Sequence, residues 1–282
     1  VRIATWNVNG LKARLEYLCQ WLDARKPDIV GLQELKTEDD AFPHEVFAEL
    51  GYAAQVHGEK AWNGVAVLSR QPGVVLQRGL PGQADFGARL LTVRFPQLDF
   101  TTVYCPNGKT LEHADYARKL AWFDDLARHW SAAHSVPSSA RPDGVDEADP
   151  GMGQPTDPAA RGRVLCGDFN ICPTPLDTWR GDSGDGEIFQ TEDERQRFAR
   201  LLELGLSDLY RLRYPAERAF SWWDYRGGSF HRGHGLRIDT LLGCARVGTR
   251  LQDVVIDRDY RKKQGELTPS DHAPVFADLA DA

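Results

Sequence analysis

Apolar positions in this chain recur with two distinct periods, and the two occupy different stretches. Leu11, Leu15, Leu18 and Leu22 return at helical intervals, as do Tyr116, Leu120, Phe123, Ala127 and Trp130, which predicts two amphipathic helices. A third helix is expected over about 192–204, ending before Gly205. Short apolar runs at residues 2–6, 29–33, 65–68, 74–76, 90–93, 100–104, 164–166 and 273–276, set off by Gly, Pro and polar residues, read as strands. The first two helices each follow a strand, whereas the runs between 65 and 104 have no helix among them and read as antiparallel. Two facing sheets with helices outside satisfy both patterns.

One stretch breaks the pattern. Residues 131–163 are dominated by Ser, Ala, Pro, Gly and Asp, with almost no large apolar side chains to offset the entropy of ordering. They read as a flexible surface insertion. With 282 residues, 41% of them hydrophobic, and no internal repeat, the chain reads as one domain over 1–282 with a sizeable core. Cys19, Cys105, Cys166, Cys172 and Cys244 are an odd number without metal-ligand spacing, so reduced thiols are expected. No apolar stretch approaches a membrane span and no signal-like lead is visible, which points to a soluble, cytoplasmic protein away from membranes.

A formal net charge of −7 weighs against a polyanionic partner, but the charge is unevenly spread. Residues 181–196 carry six acids and one Arg, and residues 131–163 carry five acids and three Arg, which together account for the whole excess. Residues 201–263 hold twelve Arg and Lys against eight acids, ending in Arg261-Lys262-Lys263. A basic face on an acidic protein is therefore compatible with the composition, as is an ordinary solvated face.

Candidate chemistry sits at the strand borders. Gly167-Asp168-Phe169-Asn170 leaves an apolar run, and the two-residue spacing points Asp168 and Asn170 the same way on an extended segment. Asn7 and Glu34 end two other runs, Tyr104 and Asn107 follow a third, and Asp271-His272 precede the last. Each alone has an ordinary explanation as a turn, a cap, a solvated acid or a core tyrosine. Five such borders in one chain do not.

The motifs Thr5-Trp6-Asn7-Val8-Asn9-Gly10-Leu11, Leu32-Gln33-Glu34, Tyr104-Cys105-Pro106-Asn107-Gly108, Gly167-Asp168-Phe169-Asn170-Ile171, Gly235-Leu236-Arg237-Ile238-Asp239 and Ser270-Asp271-His272-Ala273-Pro274 resemble, in order, those of the exonuclease III type of abasic-site endonuclease. That type lies within the endonuclease/exonuclease/phosphatase superfamily. Leu-Gln-Glu and Ser-Asp-His are superfamily-wide, whereas Phe220-Ser221-Trp222-Trp223-Asp224-Tyr225 together with the Leu236 motif looks specific to the bacterial branch.

The resemblance implies a DNase I-like four-layer α/β sandwich, two packed mixed β-sheets flanked by helices, with the site at one end of the sheets. Phosphodiester hydrolysis needs charge neutralised, water activated and the leaving oxygen stabilised. Glu34 is the expected ligand of Mg²⁺, with Mn²⁺ as the alternative ion and Asn7 and Asp271 as companions. Asp168 is the expected proton-transfer group, as base or as acid, with Asn170 orienting water or phosphate. His272 is expected to stabilise phosphate charge, and the resemblance implies that Asp239 pairs with it. Tyr104 and Asn107 would contact the phosphate or its neighbour.

A pocket for a flipped sugar lacking its base would be formed by Trp222 and Leu236, with Trp223 packed beneath. The implied partner is double-stranded DNA with abasic sites or blocked 3′ ends, and the implied state a monomer. The acidic segment 182–194 falls where relatives carry a substrate-facing loop and bears on exonuclease action. Competing readings are an inositol-phosphate or phospholipid phosphoesterase, a non-catalytic DNA-binding or scaffold protein, and a Ser270/His272/Asp239 hydrolase triad, which lacks a nucleophile elbow.

Overall fold

The computed structural model describes residues 1–132 and 161–281. Twelve strands form two six-stranded sheets. The first, in the order β11-β12-β1-β2-β4-β3, contains β1 (Arg2–Asn7), β2 (Ile29–Gln33), β3 (Ala53–His57), β4 (Val65–Ser69), β11 (Leu251–Ile256) and β12 (Val275–Leu279). The second, in the order β5-β6-β7-β8-β10-β9, contains β5 (Val74–Arg78), β6 (Leu90–Arg94), β7 (Leu98–Tyr104), β8 (Gly162–Asp168), β9 (Leu206–Asp208) and β10 (Asp239–Cys244). In each sheet one parallel pair, β1 with β2 or β7 with β8, is flanked by antiparallel strands. Both sheets are therefore mixed, as expected.

Strand alternation assigns the layers. On β1, Ile3 and Thr5 face the second sheet while Ala4 and Trp6 face outward, and on β2 Ile29 faces inward and Val30 and Leu32 outward. The inward set meets Leu91, Val93, Phe100, Val164, Cys166 and Leu241 from the opposite sheet in the central core. Outside the first sheet packs α1 (Leu11–Arg25), through Leu11, Tyr17, Leu18, Trp21 and Leu22. Outside the second pack α3 (Ala114–Ala132), through Trp122, Phe123, Leu126 and Trp130, and α4 (Glu192–Glu203), through Phe198 and Leu201. Short helices α2 (His44–Glu49), α5 (Leu209–Arg213), α6 (Ser229–Arg232) and α7 (Ala245–Gly248) complete the chain. Four layers result.

The three long helices start and stop close to the expected positions. α4 opens with a capping box: the Thr191 hydroxyl accepts from the Glu194 amide while the Glu194 carboxylate accepts from the Thr191 amide. The acidic segment 182–194 thus runs into the expected helix at Glu192, and the acids of that first turn complement the positive end of the helix. The expected insertion at 131–163 needs its borders moved. Ser131 and Ala132 end α3 and Gly162 begins β8, while buried Arg161 donates to the Phe95 and Pro96 carbonyls; residues 133–160 lie outside the described residues. All five cysteines are free thiols, four of them buried. Among the described residues no helix is long and apolar enough to cross a membrane.

The sheets come closest beside the site. Buried Gln33 donates from Nε2 to the Thr5 hydroxyl on its own sheet (2.9 Å) and to the Thr102 hydroxyl on the other (2.8 Å). Gly31 permits that approach, since a Cβ there would lie 2.6 Å from Thr102 Oγ1 and 3.2 Å from the Phe100 ring. Replacing Gly31 by Val should overpack this seam and destabilise the fold by about 1–3 kcal/mol. Chemical denaturation should show a lower midpoint at unchanged slope, and an unaltered midpoint would show that the sheets are not in contact there.

Candidate active site

Topology brings the polar strand borders to one end of the sandwich. β1 and β2 are parallel, so Asn7 and Glu34 leave them at the same end, and antiparallel β12 begins there just after His272. In the second sheet β7 and β8 run parallel and β10 antiparallel, which sets Tyr104, Asp168 and Asp239 side by side in register. Parity does the rest. Asn7 continues the inward set of Ile3 and Thr5, Asp168 that of Val164 and Cys166, Tyr104 that of Phe100, and Asp239 that of Leu241, so every one of them points between the sheets.

The side chains meet. Asn7 Nδ2 donates to Glu34 Oε1 and to Asp168 Oδ2, both at 2.9 Å, so a single amide group joins carboxylates from opposite sheets. His272 Nδ1 lies 2.9 Å from Asp239 Oδ2, and its Nε2 lies 3.8 Å from Asp168 Oδ2. Among the described residues, Glu34, Asp168 and His272 offer ligand atoms within 4.8 Å of one another. Asn170, with φ of 49°, gives its amide N–H to Asp168 Oδ1 (2.9 Å) and its Nδ2 to the Cys105 carbonyl, and accepts from exposed Asn107 at 3.3 Å. Gly167 is required beneath this turn: its φ is 144° and an added Cβ would strike the Val103 carbonyl oxygen.

Burial and charge set the protonation. Asp168 is 1% exposed. Burial raises its pKa well above the ordinary carboxyl range, against the pull of His272 and with help from Asp239 and Glu34. Burial opposes a charged His272, but the Asp239 charge and hydrogen bond outweigh it and push the ring up to about 10. Burial, Glu34 and Asp168 together push the Tyr104 phenol well up, so it is a neutral donor. The site thus presents an imidazolium, a carboxyl group of raised proton affinity and a phenol to one small volume.

Glu34 and its surroundings suit a hard divalent cation. Glu34 has a left-handed φ of 53°, and its backbone carbonyl is held by the Gly10 amide at 2.8 Å. Its carboxylate takes donors from two sides, Asn7 at Oε1 and the Lys36 ammonium 3.0 Å from Oε2, an all-oxygen acceptor already drawing positive charge. Asn7 and Asp271 are placed otherwise than as plain oxygen companions. Asn7 turns its nitrogen to the carboxylates while its Oδ1 accepts from the Asn9 amide, and Asp271 lies outside the 4.8 Å group with its oxygens accepting from Asn9 Nδ2 (2.9 Å) and Trp222 Nε1 (3.0 Å). Burial works to raise the Asp271 pKa, yet His272, Trp222 and Asn9 hold it below the usual range.

Next to His272 an apolar wall is built by main-chain bridges. Trp222 bridges His272 on one side and Leu236 on the other, and Leu236 bridges Thr178. Trp222, Phe189, Leu236, Ile238 and Cys172 form one apolar cluster, while Trp223 is buried against Phe230 behind it, as expected. The Ser270 hydroxyl excludes a hydrolase triad, since it donates to the Asn7 carbonyl (2.7 Å) and accepts from the His272 amide rather than facing the ring.

Several supporting residues escape a reading of the sequence. Lys36 and Asn9 flank Glu34 and Asp271, and both stand beside residues already singled out. Ser221 donates to Asp239 Oδ2 at 2.6 Å, one position from Trp222. Lys119 is wholly buried, bound to Glu194 at 2.5 Å and to the Asn170 carbonyl at 2.7 Å; a lysine on the apolar face of α3 is the signal that marks it. Arg237 grips Asp177 (2.6 Å) and Asp208 (2.7 Å) and so anchors the Leu236 segment.

Comparison with known proteins agrees with this geometry. Residues 4–272 match the Endonuclease/Exonuclease/phosphatase family. Exodeoxyribonuclease III of Haemophilus influenzae is 33% identical, with 99% of this chain and 100% of that protein covered. A 3′-5′ exonuclease from Neisseria meningitidis has a TM-score of 0.87 at 33% identity, covering 99% of this chain and 100% of the other. An AP endonuclease from Archaeoglobus fulgidus has a TM-score of 0.86 at 30% identity, covering 99% of each. With this likeness along the whole chain and this convergence of strand-end groups, the chain belongs to the endonuclease/exonuclease/phosphatase family, in its exonuclease III branch of abasic-site endonucleases, and is a hydrolytic nuclease.

Proposed function

We propose that this nuclease is a Mg²⁺-dependent DNA repair phosphodiesterase that cuts on the 5′ side of abasic sites, trims blocked 3′ ends and degrades duplex DNA from the 3′ end. The observation that carries this reading is the meeting of Glu34, Asp168 and His272 beside the Trp222/Leu236 wall. Glu34 would hold the ion, with Asn7 orienting the carboxylate and Asp271 fixing Asn9 and Trp222 around it. A bound Mg²⁺ supplies neutralisation of phosphate charge. In the same reading the chain acts as a single-domain monomer.

In the reaction a water oxygen forms a bond to phosphorus as the P–O3′ bond breaks, leaving a 3′-hydroxyl and a 5′-phosphate. Asp168 either takes the proton that the attacking water loses or gives O3′ the proton it gains, a role suited to a buried carboxyl whose affinity for protons is raised. His272 Nε2 donates to a non-bridging oxygen, its charge maintained by Asp239, and the neutral Tyr104 phenol offers a second donor. Asn170 and Asn107, linked to each other, hold the phosphate or its neighbour. The apolar Trp222/Leu236 wall would receive a flipped sugar that lacks its base.

Asp168→Asn should lower cleavage of a duplex with one abasic site by about 10²–10⁴-fold while leaving binding within a few-fold. A gel assay on abasic, nicked and intact duplexes, with and without chelator, reads this directly. Cleavage of a soluble phosphate ester with none of abasic DNA would select the inositol-phosphate or phospholipid reading instead. Glu34→Ala should raise the Mg²⁺ concentration needed for half-maximal activity far more than it weakens DNA binding, and an unchanged Mg²⁺ titration would contradict the assignment.

The histidine assignment has its own pH signature. The folded pKa of His272 lies above its unfolded value of about 6.5, so the pair with Asp239 contributes its full stability below that value and loses it as pH rises through about 10. ¹⁵N NMR should find the His272 ring doubly protonated at pH 8, and Asp239→Asn should bring its titration down, since burial then acts without the main opposing charge. A neutral ring at pH 7 in the wild type would refute the pairing.

A further inference from the structure

A hollow of about 340 Å³ opens between α6 and the segment 261–269. Glu34, Asp168 and His272 do not line it; its walls include Tyr225, Phe230, His231, Arg261, Lys262 and Lys263. Arg261 defines its chemistry. The side chain is 7% exposed, and of the three buried arginines it alone, among the described residues, has no acid partner: Arg237 pairs with Asp177 and Asp208, and Arg161 faces Asp99. Its donors reach the carbonyls of Asp271 and Trp223, both at 3.1 Å, and its guanidinium lies 4.9 Å and 5.2 Å from the ring centres of Tyr225 and Phe230.

A guanidinium withdrawn from water without a counter-charge is costly unless an anion meets it. Among the described residues the carboxylate that acts on Arg261 is that of Asp271, which makes no ion pair with it and already accepts from Asn9 Nδ2 and Trp222 Nε1. Asp224, the acid in the wall, accepts from the Arg226 amide at 2.8 Å and pairs with its side chain at 3.9 Å. Among the described residues Lys262 and Lys263 pair with the exposed acids Asp259 (2.5 Å) and Glu266 (3.8 Å), pairs that solvent readily exchanges. On the side of the active site, Arg14 links the two regions, donating to the Asn9 carbonyl at 2.9 Å and to the Tyr225 hydroxyl at 3.1 Å.

We infer that the Arg261 hollow is a second phosphate-binding site, separate from the cleavage centre, built for the oxygens of a phosphate ester. Guanidinium and ammonium groups with Ser229 and Thr268 on the same wall suit several acceptor oxygens on one centre, and the aromatic rings suit the sugar attached to it. The phosphate would come from the backbone of the DNA strand held for cleavage, or from a free phosphate or nucleotide. The first source rests on the DNA reading of the active site; the hollow's chemistry does not.

Two measurements separate these sources. Side-chain ¹⁵N NMR of the full chain, titrated with inorganic phosphate, should shift the Arg261 Nε–H signal, and Arg261→Lys should remove it. Binding of an abasic duplex in chelator, followed against salt, should lose roughly 0.9 of its log–log slope for one phosphate contact in the surface variant Lys262→Ser/Lys263→Ser. A phosphate-induced shift with an unchanged slope would retain the site and assign it to free phosphate. No shift and no change of slope would overturn the inference. Failure of the wild type to bind duplex would instead count against the DNA reading, with the phosphate titration still deciding this one.

Discussion

Two carboxylates that belong to different sheets share one amide group: Glu34 and Asp168 both accept from Asn7 Nδ2 at 2.9 Å. The arrangement sets a demand on everything around it, since two acids brought together out of water repel unless charge is supplied. The chain supplies it at three points, with the imidazolium of His272, the ammonium of Lys36 and a raised proton affinity at Asp168. His272 in turn depends on Asp239, and Asp239 on the Ser221 hydroxyl. The site is a chain of compensations that starts at one buried amide.

Such a cluster needs a rigid frame, and the frame is the closeness of the sheets. Gln33 spans the gap between Thr5 and Thr102 one layer below the site, and Gly31 lets the faces touch. Register then places Tyr104, Asp168 and Asp239 abreast without any loop having to fold over them. Loops contribute differently: Asn9, Glu34, Lys36 and Asn170 all take left-handed backbone conformations where the strands end, turning their side chains back into the gap. Local backbone cost of this kind is tolerated where a site requires it.

Much of this was legible in the sequence because fully buried strands advertise themselves. β1, β2, β4 and β8 are apolar on both faces, and the polar residue that ends each stands out against them. The rule has exceptions: half-exposed β3 and β11 alternate too weakly to be seen and α2 is too short for a period, but edge strand β5 was read and fully buried β10 was not. The site residues were visible one by one, but their partners were not. Ser221 and Lys119 gain meaning only when β10 and α4 are brought beside them, and the orientation of the Asn7 amide depends on Asn9. Spacing names candidates; only packing tells which atom of each faces the others.

The central claim is spatial, that one divalent ion and one scissile phosphate lie between groups drawn from both sheets. Anomalous diffraction from crystals of the Asp168→Asn protein with an abasic duplex and Mn²⁺ tests it most directly. A single anomalous peak at the Glu34 carboxylate, with the phosphate 5′ to the abasic sugar between it and His272 and the sugar against Trp222, is the predicted result. Metal bound away from Glu34, or a scissile phosphate out of reach of His272, would contradict it.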